Sequence, residues 1–151
     1  MIAIRRARPA DAVLVAEVYL ASFRAALPTV HVAHTDDEVR GWVRDHLIPA
    51  TECWVAADGP EVIGMLALSP GWIEQLYVAP HRRGEGIGRG LLDLAKDRAE
   101  GPLDLWTFQV NAPARRFYER QGFVEVELTD GAANEEREPD VRYRWDPPSR
   151  S

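Results

Sequence analysis

An apolar run, Trp72-Ile73-Glu74-Gln75-Leu76-Tyr77-Val78, is followed almost at once by Arg82-Arg83-Gly84-Glu85-Gly86-Ile87-Gly88-Arg89-Gly90. A helical pattern then runs from Ile87 to Ala99, with Ile87, Leu91, Leu92 and Ala95 on one face. The chain must therefore pass from strand to helix through a glycine-rich turn. Glycine reaches positive φ and lets backbone N–H groups come close to a ligand. A helix start adds unpaired donors and a partial positive charge. Together these make an anion site, most often for phosphate. Arg82, Arg83 and Arg89 add full charges around it. The bland alternative is a tight turn with solvated arginines.

The spacing excludes two common phosphate motifs. A dinucleotide fingerprint needs G-x-G-x-x-G, but Arg89 or Leu91 stands where the third glycine should fall. A triphosphate loop needs G-x-x-x-x-G-K-[ST], and no segment of the chain fits it. What remains is R-x-x-G-x-G, carried by Arg83, Gly86 and Gly88.

Around this turn the chain divides into short elements. Residues 2–6 read as a strand. Asp11 reads as the N-cap of a helix reaching about Leu27, in which Val15, Tyr19 and Phe23 recur at i+4, and Pro28 stops it. Thr35 and Glu38 match a capping box for a second helix from Asp36 to His46. Glu52–Ala57, Glu61–Leu68 and Trp72–Val78 read as three strands joined by turns at Asp58-Gly59 and Ser69-Pro70-Gly71, which makes an antiparallel meander. A strand follows from Leu103 to Val110, then a helix from Pro113 to Gln121 with Gly122 just past its end. Phe123–Leu128 and Val141–Trp145 are the last strands, separated by a polar loop. The order β-α-α-β-β-β-α-β-α-β-β combines a meander with a βαβ crossover, so an α/β fold with a mixed sheet is expected.

At 151 residues this is one domain, residues 1–146, with a disordered tail at 147–151. No apolar run approaches the roughly 20 residues needed to span a bilayer, and the N-terminus lacks a signal-peptide layout. The single cysteine, Cys53, rules out an internal disulfide and fits a reducing cytoplasm; in a strand it behaves as a small buried hydrophobe. A net charge of −6 argues against a general nucleic-acid binder. Local arginine patches on an acidic chain suit a small anion. His31-x-x-His34 has no third ligand near it and no helix to support it, so no metal site is expected.

A second motif follows the first: Asn111-Ala112-Pro113-Ala114-Arg115-Arg116-Phe117-Tyr118-Glu119-Arg120-Gln121-Gly122-Phe123. Together with Leu76-Tyr77-Val78-Ala79-Pro80 and R-x-x-G-x-G, it resembles the GNAT superfamily of N-acetyltransferases, in the pattern N-x-x-A-x-x-F-Y-x-x-x-G-F. The resemblance is specific from about Trp54 to Val124. It implies a GNAT-like mixed, mostly antiparallel central sheet of about seven strands flanked by about four helices. It also implies acetyl-CoA as acetyl donor, bound by Leu76, Tyr77, Val78, Arg83, Gly84, Glu85, Gly86, Ile87, Gly88, Arg89, Asn111 and Tyr118. The diphosphate would sit on the turn, and the pantetheine arm would pair with backbone groups of Leu76 and Val78 where two parallel strands splay apart.

The reaction implied is direct attack of a primary amine on the thioester. Tyr118 is the candidate general acid; the competing reading of Phe117-Tyr118 is an aromatic pair packing helix on sheet. Asn111 either contacts the cofactor or caps its helix. Glu74 is the candidate general base, directly or through water, placed on one strand face with Leu76 and Val78 and raised in pKa by burial. The segment Glu125–Asp140 holds seven acidic residues and one basic, Arg137; at an acceptor mouth it would favour a cationic amine, and otherwise it is a solvated loop. Expected partners are a small-molecule or peptide amine, with no nucleic acid and no membrane, and a possible homodimer. The competing functions are a catalytically idle acyl-CoA binding or sensing module and a nucleotide-phosphate binder.

Overall fold

A computed structural model describes residues 1–148. The elements run β1 (Ile2–Arg6), α1 (Ala12–Ala26), α2 (Asp36–Trp42), α3 (Ile48–Ala50), β2 (Glu52–Asp58), β3 (Glu61–Ser69), β4 (Trp72–Val78), α4 (Ile87–Arg98), β5 (Leu103–Phe108), α5 (Ala112–Arg120), β6 (Val124–Leu128) and β7 (Asp140–Trp145). The strands form one sheet of seven in the order β1-β2-β3-β4-β5-β7-β6. Among the described residues only the β4–β5 pairing is parallel. A π turn, Val43–Leu47, joins α2 to α3, so α1, this segment, α4 and α5 make the four expected helices. Of the expected tail, Pro147 and Pro148 have no regular structure and the remainder lies outside the described residues.

β3 is the middle of the domain, and its composition shows why. Val62 to Leu68 are all buried. Such a continuous apolar run belongs to a strand covered on both faces. On one face Val62, Met65 and Ala67 pack with Val15, Ala16, Val39 and Val43 of the α1–α2 side. On the other, Ile63, Leu66 and Leu68 pack with Ile87, Leu91, Leu92 and Ala95 of α4 and with Tyr118 and Phe123. Full burial of an aliphatic side chain stabilises by roughly 1.5–3 kcal/mol, so these two layers dominate the fold's energetics.

Gly64 brings α4 close to the sheet. A Cβ at this position would stand 3.0 Å from Ile87 Cγ2 and 3.1 Å from Leu91 Cδ1. The helix therefore rests on bare backbone, and the glycine turn that precedes it is held near the end of β4.

Two helix ends differ from expectation. Asp11 does precede α1, but its carboxylate makes no cap bond to that helix. It accepts instead from both terminal nitrogens of Arg5, at 2.8 and 2.9 Å, and from the Arg8 backbone N–H at 2.7 Å. A guanidinium is the stronger partner for a carboxylate, so Asp11 ties β1 to the helix start. Its pKa is held below the usual carboxylate range, chiefly by the Arg5 hydrogen bond. The second helical segment does not stop at His46. Val43, Leu47 and Ile48 are buried against α1 and the sheet, which carries the segment on through the π turn to Ala50. The Thr35–Glu38 capping box is present, with Glu38 N–H donating to Thr35 Oγ1 at 3.2 Å and Thr35 N–H to Glu38 Oε1 at 3.0 Å.

Gly64→Val forces branched atoms into the space now filled by Ile87 and Leu91. A loss of about 1–3 kcal/mol in unfolding free energy is expected from urea titration; an unchanged midpoint would show that α4 can stand off the sheet.

Candidate functional site

The site begins with a bulge in β4. Leu68 pairs with Ile73 and Ala67 with Gln75, so Glu74 is an extra residue with no partner on β3. The bulge resets the alternation of the strand. Beyond it, Ala79 N–H donates to Ile63 C=O at 2.8 Å. An antiparallel ladder alternates, so Tyr77 and Gln75 also turn their backbone groups toward β3. Leu76 and Val78 turn theirs the other way, toward β5.

No strand of the sheet meets them there. The β4–β5 ladder consists, among the described residues, of the single pair Trp72–Asp104, with Asp104 N–H donating to Gly71 C=O at 2.9 Å. Past that pair the two parallel strands part, and β5 continues its ladder with β7 alone. The Val78 carbonyl accepts from the buried hydroxyl of Ser22 at 2.7 Å, the only side chain bonded to this edge among the described residues. Ser22 was not singled out from the sequence. Its signal was a serine between Tyr19 and Phe23, on the stripe that α1 buries.

The parting opens a cavity of about 1120 Å³ that reaches both faces of the sheet. On the α4 face it meets the glycine turn. Gly86 precedes α4 with φ of 78°, a left-handed conformation that side chains disfavour. The first N–H groups of α4, from Ile87 to Arg89, lack carbonyls four residues back within the helix and point out of its start. Arg83 and Arg89 are exposed and enter no ion pair among the described residues. Arg82 differs. It bonds Asp58 at 3.0 Å, Glu61 at 3.4 Å and Glu85 at 2.9 Å, fastening the turn to the β2–β3 hairpin. The hydrogen bonds it donates to Glu85 and Asp58 push its pKa up. Arg82 is therefore a structural tie, and Glu85 can offer a ligand only its backbone. Ile87 buries its side chain in the core and likewise offers only N–H.

Tyr118 reaches the cavity from α5. Its ring lies in an aromatic group with Phe117 at 5.3 Å, Phe123 at 5.6 Å and Tyr143 at 6.3 Å between centroids. The Phe-Tyr pair thus packs helix on sheet, and Tyr118 also lines the cavity. Phe117 packs beside Gly88 and Val78. Tyr118 is buried, its hydroxyl bonds no described residue, and burial alone raises its pKa. Asn111 caps α5, its side-chain oxygen accepting from Ala114 N–H at 3.2 Å, and it also lines the cavity.

Glu74 lines the cavity but is exposed, and its carboxylate accepts from Ser69 Oγ at 2.5 Å. The expected burial is absent. The bulge is the cause: it takes Glu74 out of the alternation that would have aligned it with Leu76 and Val78 on the inner face.

The α1 face of the cavity is aromatic. Tyr19 lies 5.0 Å from Tyr77 and 6.2 Å from Phe23, and Phe23 lies 6.4 Å from Phe108. The β6–β7 loop closes over this side and brings Asn134 and Glu136 to the wall, beside Asp140 at the start of β7. His34 Nε2 contacts Glu135 at 2.6 Å and so joins that loop to the α1–α2 loop. The Glu135 hydrogen bond raises the His34 pKa. Among the described residues no group of three His, Cys, Asp or Glu side chains could hold a metal. No described helix is long and apolar enough to cross a membrane. Cys53 lies away from the cavity in the α1-side core, and burial pushes its thiol up to about 11.

A family model described as Acetyltransferase (GNAT) family matches residues 14–123. The chain is 41% identical over 95 residues to streptothricin acetyltransferase of Streptomyces lavendulae, a match covering 54% of this chain and 50% of that protein. The chain thus spans half the length of that relative. It is 32% identical over 127 residues to the peptidyl-lysine N-acetyltransferase YjaB of Salmonella typhimurium, covering 82% of this chain and 83% of that one. Among solved structures, PaiA N-acetyltransferase from Thermoplasma acidophilum in complex with coenzyme A superposes with a TM-score of 0.73 at 21% identity, over 97% of this chain and 99% of that one. At that identity the match concerns the fold.

The raised thiol pKa makes one expectation about Cys53. At pH 8 a thiol reagent labels it only as fast as the protein unfolds; rapid labelling of the native protein would contradict its burial between sheet and helix.

Proposed function

The chain belongs to the acetyltransferase (GNAT) family, and from that premise we propose that it is an N-acetyltransferase that moves the acetyl group of acetyl-CoA directly to a primary amine. One observation carries the reading: the unpaired Leu76–Val78 edge of β4 leads straight into a cationic glycine turn at a helix start, and a free phenol stands in the same cavity. A thioester donor with a diphosphate and an amide-bearing arm needs those three things together.

In this reading the diphosphate rests on the N–H groups of the turn from Arg83 through Gly84, Glu85, Gly86, Ile87 and Gly88 to Arg89. Arg83 and Arg89 supply charge. The pantetheine amides pair with the backbone of Leu76 and Val78 in the manner of an added strand. Tyr77 sits between them and turns its ring to the acceptor side. The capping oxygen of Asn111 is engaged, which leaves its amide N–H₂ to donate toward the arm.

The acceptor nitrogen attacks the thioester carbonyl, the C–S bond breaks, and sulfur leaves as thiolate. Tyr118 stays protonated at neutral pH because burial disfavours its phenolate. It donates to the departing sulfur. An amine arrives mostly as ammonium and must lose a proton before attack. Glu74 can take that proton, and its exposure makes transfer through water the natural route. The enzyme forms no covalent intermediate, and Cys53 takes no part.

Thiol release from acetyl-CoA with a panel of amines tests the proposal. Turnover with at least one amine is expected; coenzyme A binding without turnover would favour an acyl-CoA binding module, and tighter binding of ATP than of coenzyme A would favour a nucleotide site. Tyr118→Phe should lower kcat by roughly 10²-fold, the usual size of a lost general acid, while coenzyme A affinity changes little. An unchanged kcat would assign the proton to water.

A further inference from the structure

The cavity is charged differently at its two faces. The basic residues on its wall are Arg82, Arg83, Arg89 and Arg120, from the glycine turn, the start of α4 and the end of α5. On the α1 face no basic residue lines it among the described residues. The acidic residues there differ in what they are already bonded to. Glu127 pairs with Arg142 at 3.1 Å, and Asp140 is held by the Thr129 hydroxyl and the Asn134 amide. Glu136 is half-buried, lines the cavity and enters no hydrogen bond or ion pair among the described residues. It faces the aromatic group described above. Burial lifts the Tyr19 phenol to about 12, and the Glu136 charge adds to that shift and to the rise at Tyr77. Glu136 is also the residue after Glu135, whose contact with His34 anchors this part of the loop to the α1–α2 loop.

A carboxylate without a cation, beside the faces and edges of Tyr19, Phe23 and Phe108, is the chemistry that holds an alkylammonium. The carboxylate supplies a charge-assisted hydrogen bond, and the aromatic faces supply cation–π attraction. In the transferase reading the attacking nitrogen gives its proton toward Glu74, so the ammonium held at Glu136 is a second group. We infer that Glu136, with the Tyr19–Phe23–Phe108 wall, binds a second positive charge on the acceptor, so that the acceptor class is an amine bearing another cationic group on an alkyl arm. This rests on the transferase reading for the use of the site, but the recognition it describes is a binding property of its own. Anionic amines are disfavoured, because Glu74, Glu136 and Asp140 all line the same cavity.

The test uses three amines of equal chain length: a butyl diamine, a butyl amino alcohol and a butyl amino acid. Each is measured by calorimetry against the full protein with coenzyme A present, and by turnover with acetyl-CoA. The diamine should bind and react at least about tenfold better than the alcohol, the size of one hydrogen bond to a charged group, and the amino acid worse than either. Glu136→Gln should cost the diamine at least tenfold more in kcat/KM than it costs the alcohol, through KM and not kcat. Equal use of the three amines, or an equal loss for diamine and alcohol in Glu136→Gln, would overturn the inference. If the diamine binds the wild-type protein and not Glu136→Gln, yet neither turns it over, the cation site stands and the transferase reading falls.

Discussion

Two parallel strands that pair at one residue and then part are the constraint on which the rest of this molecule depends. Among the described residues β4 pairs with β5 at Trp72 and Asp104 alone. A sheet normally satisfies every backbone group of an inner strand, and leaving them open costs free energy unless water or a ligand supplies partners. Here the open groups are those of Leu76 and the N–H of Val78, whose carbonyl is taken by Ser22, and the extra residue Glu74 is what aims them at the gap. Bulges increase local twist and bend the strand that carries them, so one inserted residue both separates the strands and exposes the edge.

Packing on each side then fixes what lies beside the gap. On one face, the bare backbone of Gly64 lets α4 sit close, and Arg82 binds the glycine turn to the β2–β3 hairpin. These contacts hold a helix start and its free N–H groups next to the end of β4. On the other face, Tyr77 carries the strand into an aromatic group with Tyr19 and Phe23 of α1. The opening in the sheet thus joins a cationic half-site to an aromatic, acidic one. A donor carrying phosphates and an acceptor carrying positive charge can meet there without crossing each other's binding surface.

Much of this was legible in the residues. The glycine spacing, the meander and the Asn111–Phe123 motif led to the element order, the seven strands and the family, because turn residues and alternation act locally. What stayed hidden came from long-range pairing. The bulge at Glu74 has no local signature, since strict alternation over Trp72–Val78 looks satisfied until β3 sets the register; alternation alone therefore predicts burial for Glu74, which the structure leaves exposed. Asp11 looked like a helix cap because its partner Arg5 belongs to another element. Arg82 reads as one of three charges around the anion because two of the acids that claim it come from a hairpin more than twenty residues earlier. The role of Glu136 needed the β6–β7 loop folded over the cavity, which composition could suggest only as an acidic stretch.

The central claim is that the β4 edge is a template for the donor. Amide hydrogen exchange, residue by residue, measures it directly. Coenzyme A at saturating concentration should slow exchange at Leu76 and Val78 together with the turn from Gly86 to Arg89, while Gln75 and Tyr77, already bonded to β3, change little. Protection confined to the turn, with Leu76 and Val78 exchanging as in the free protein, would contradict it.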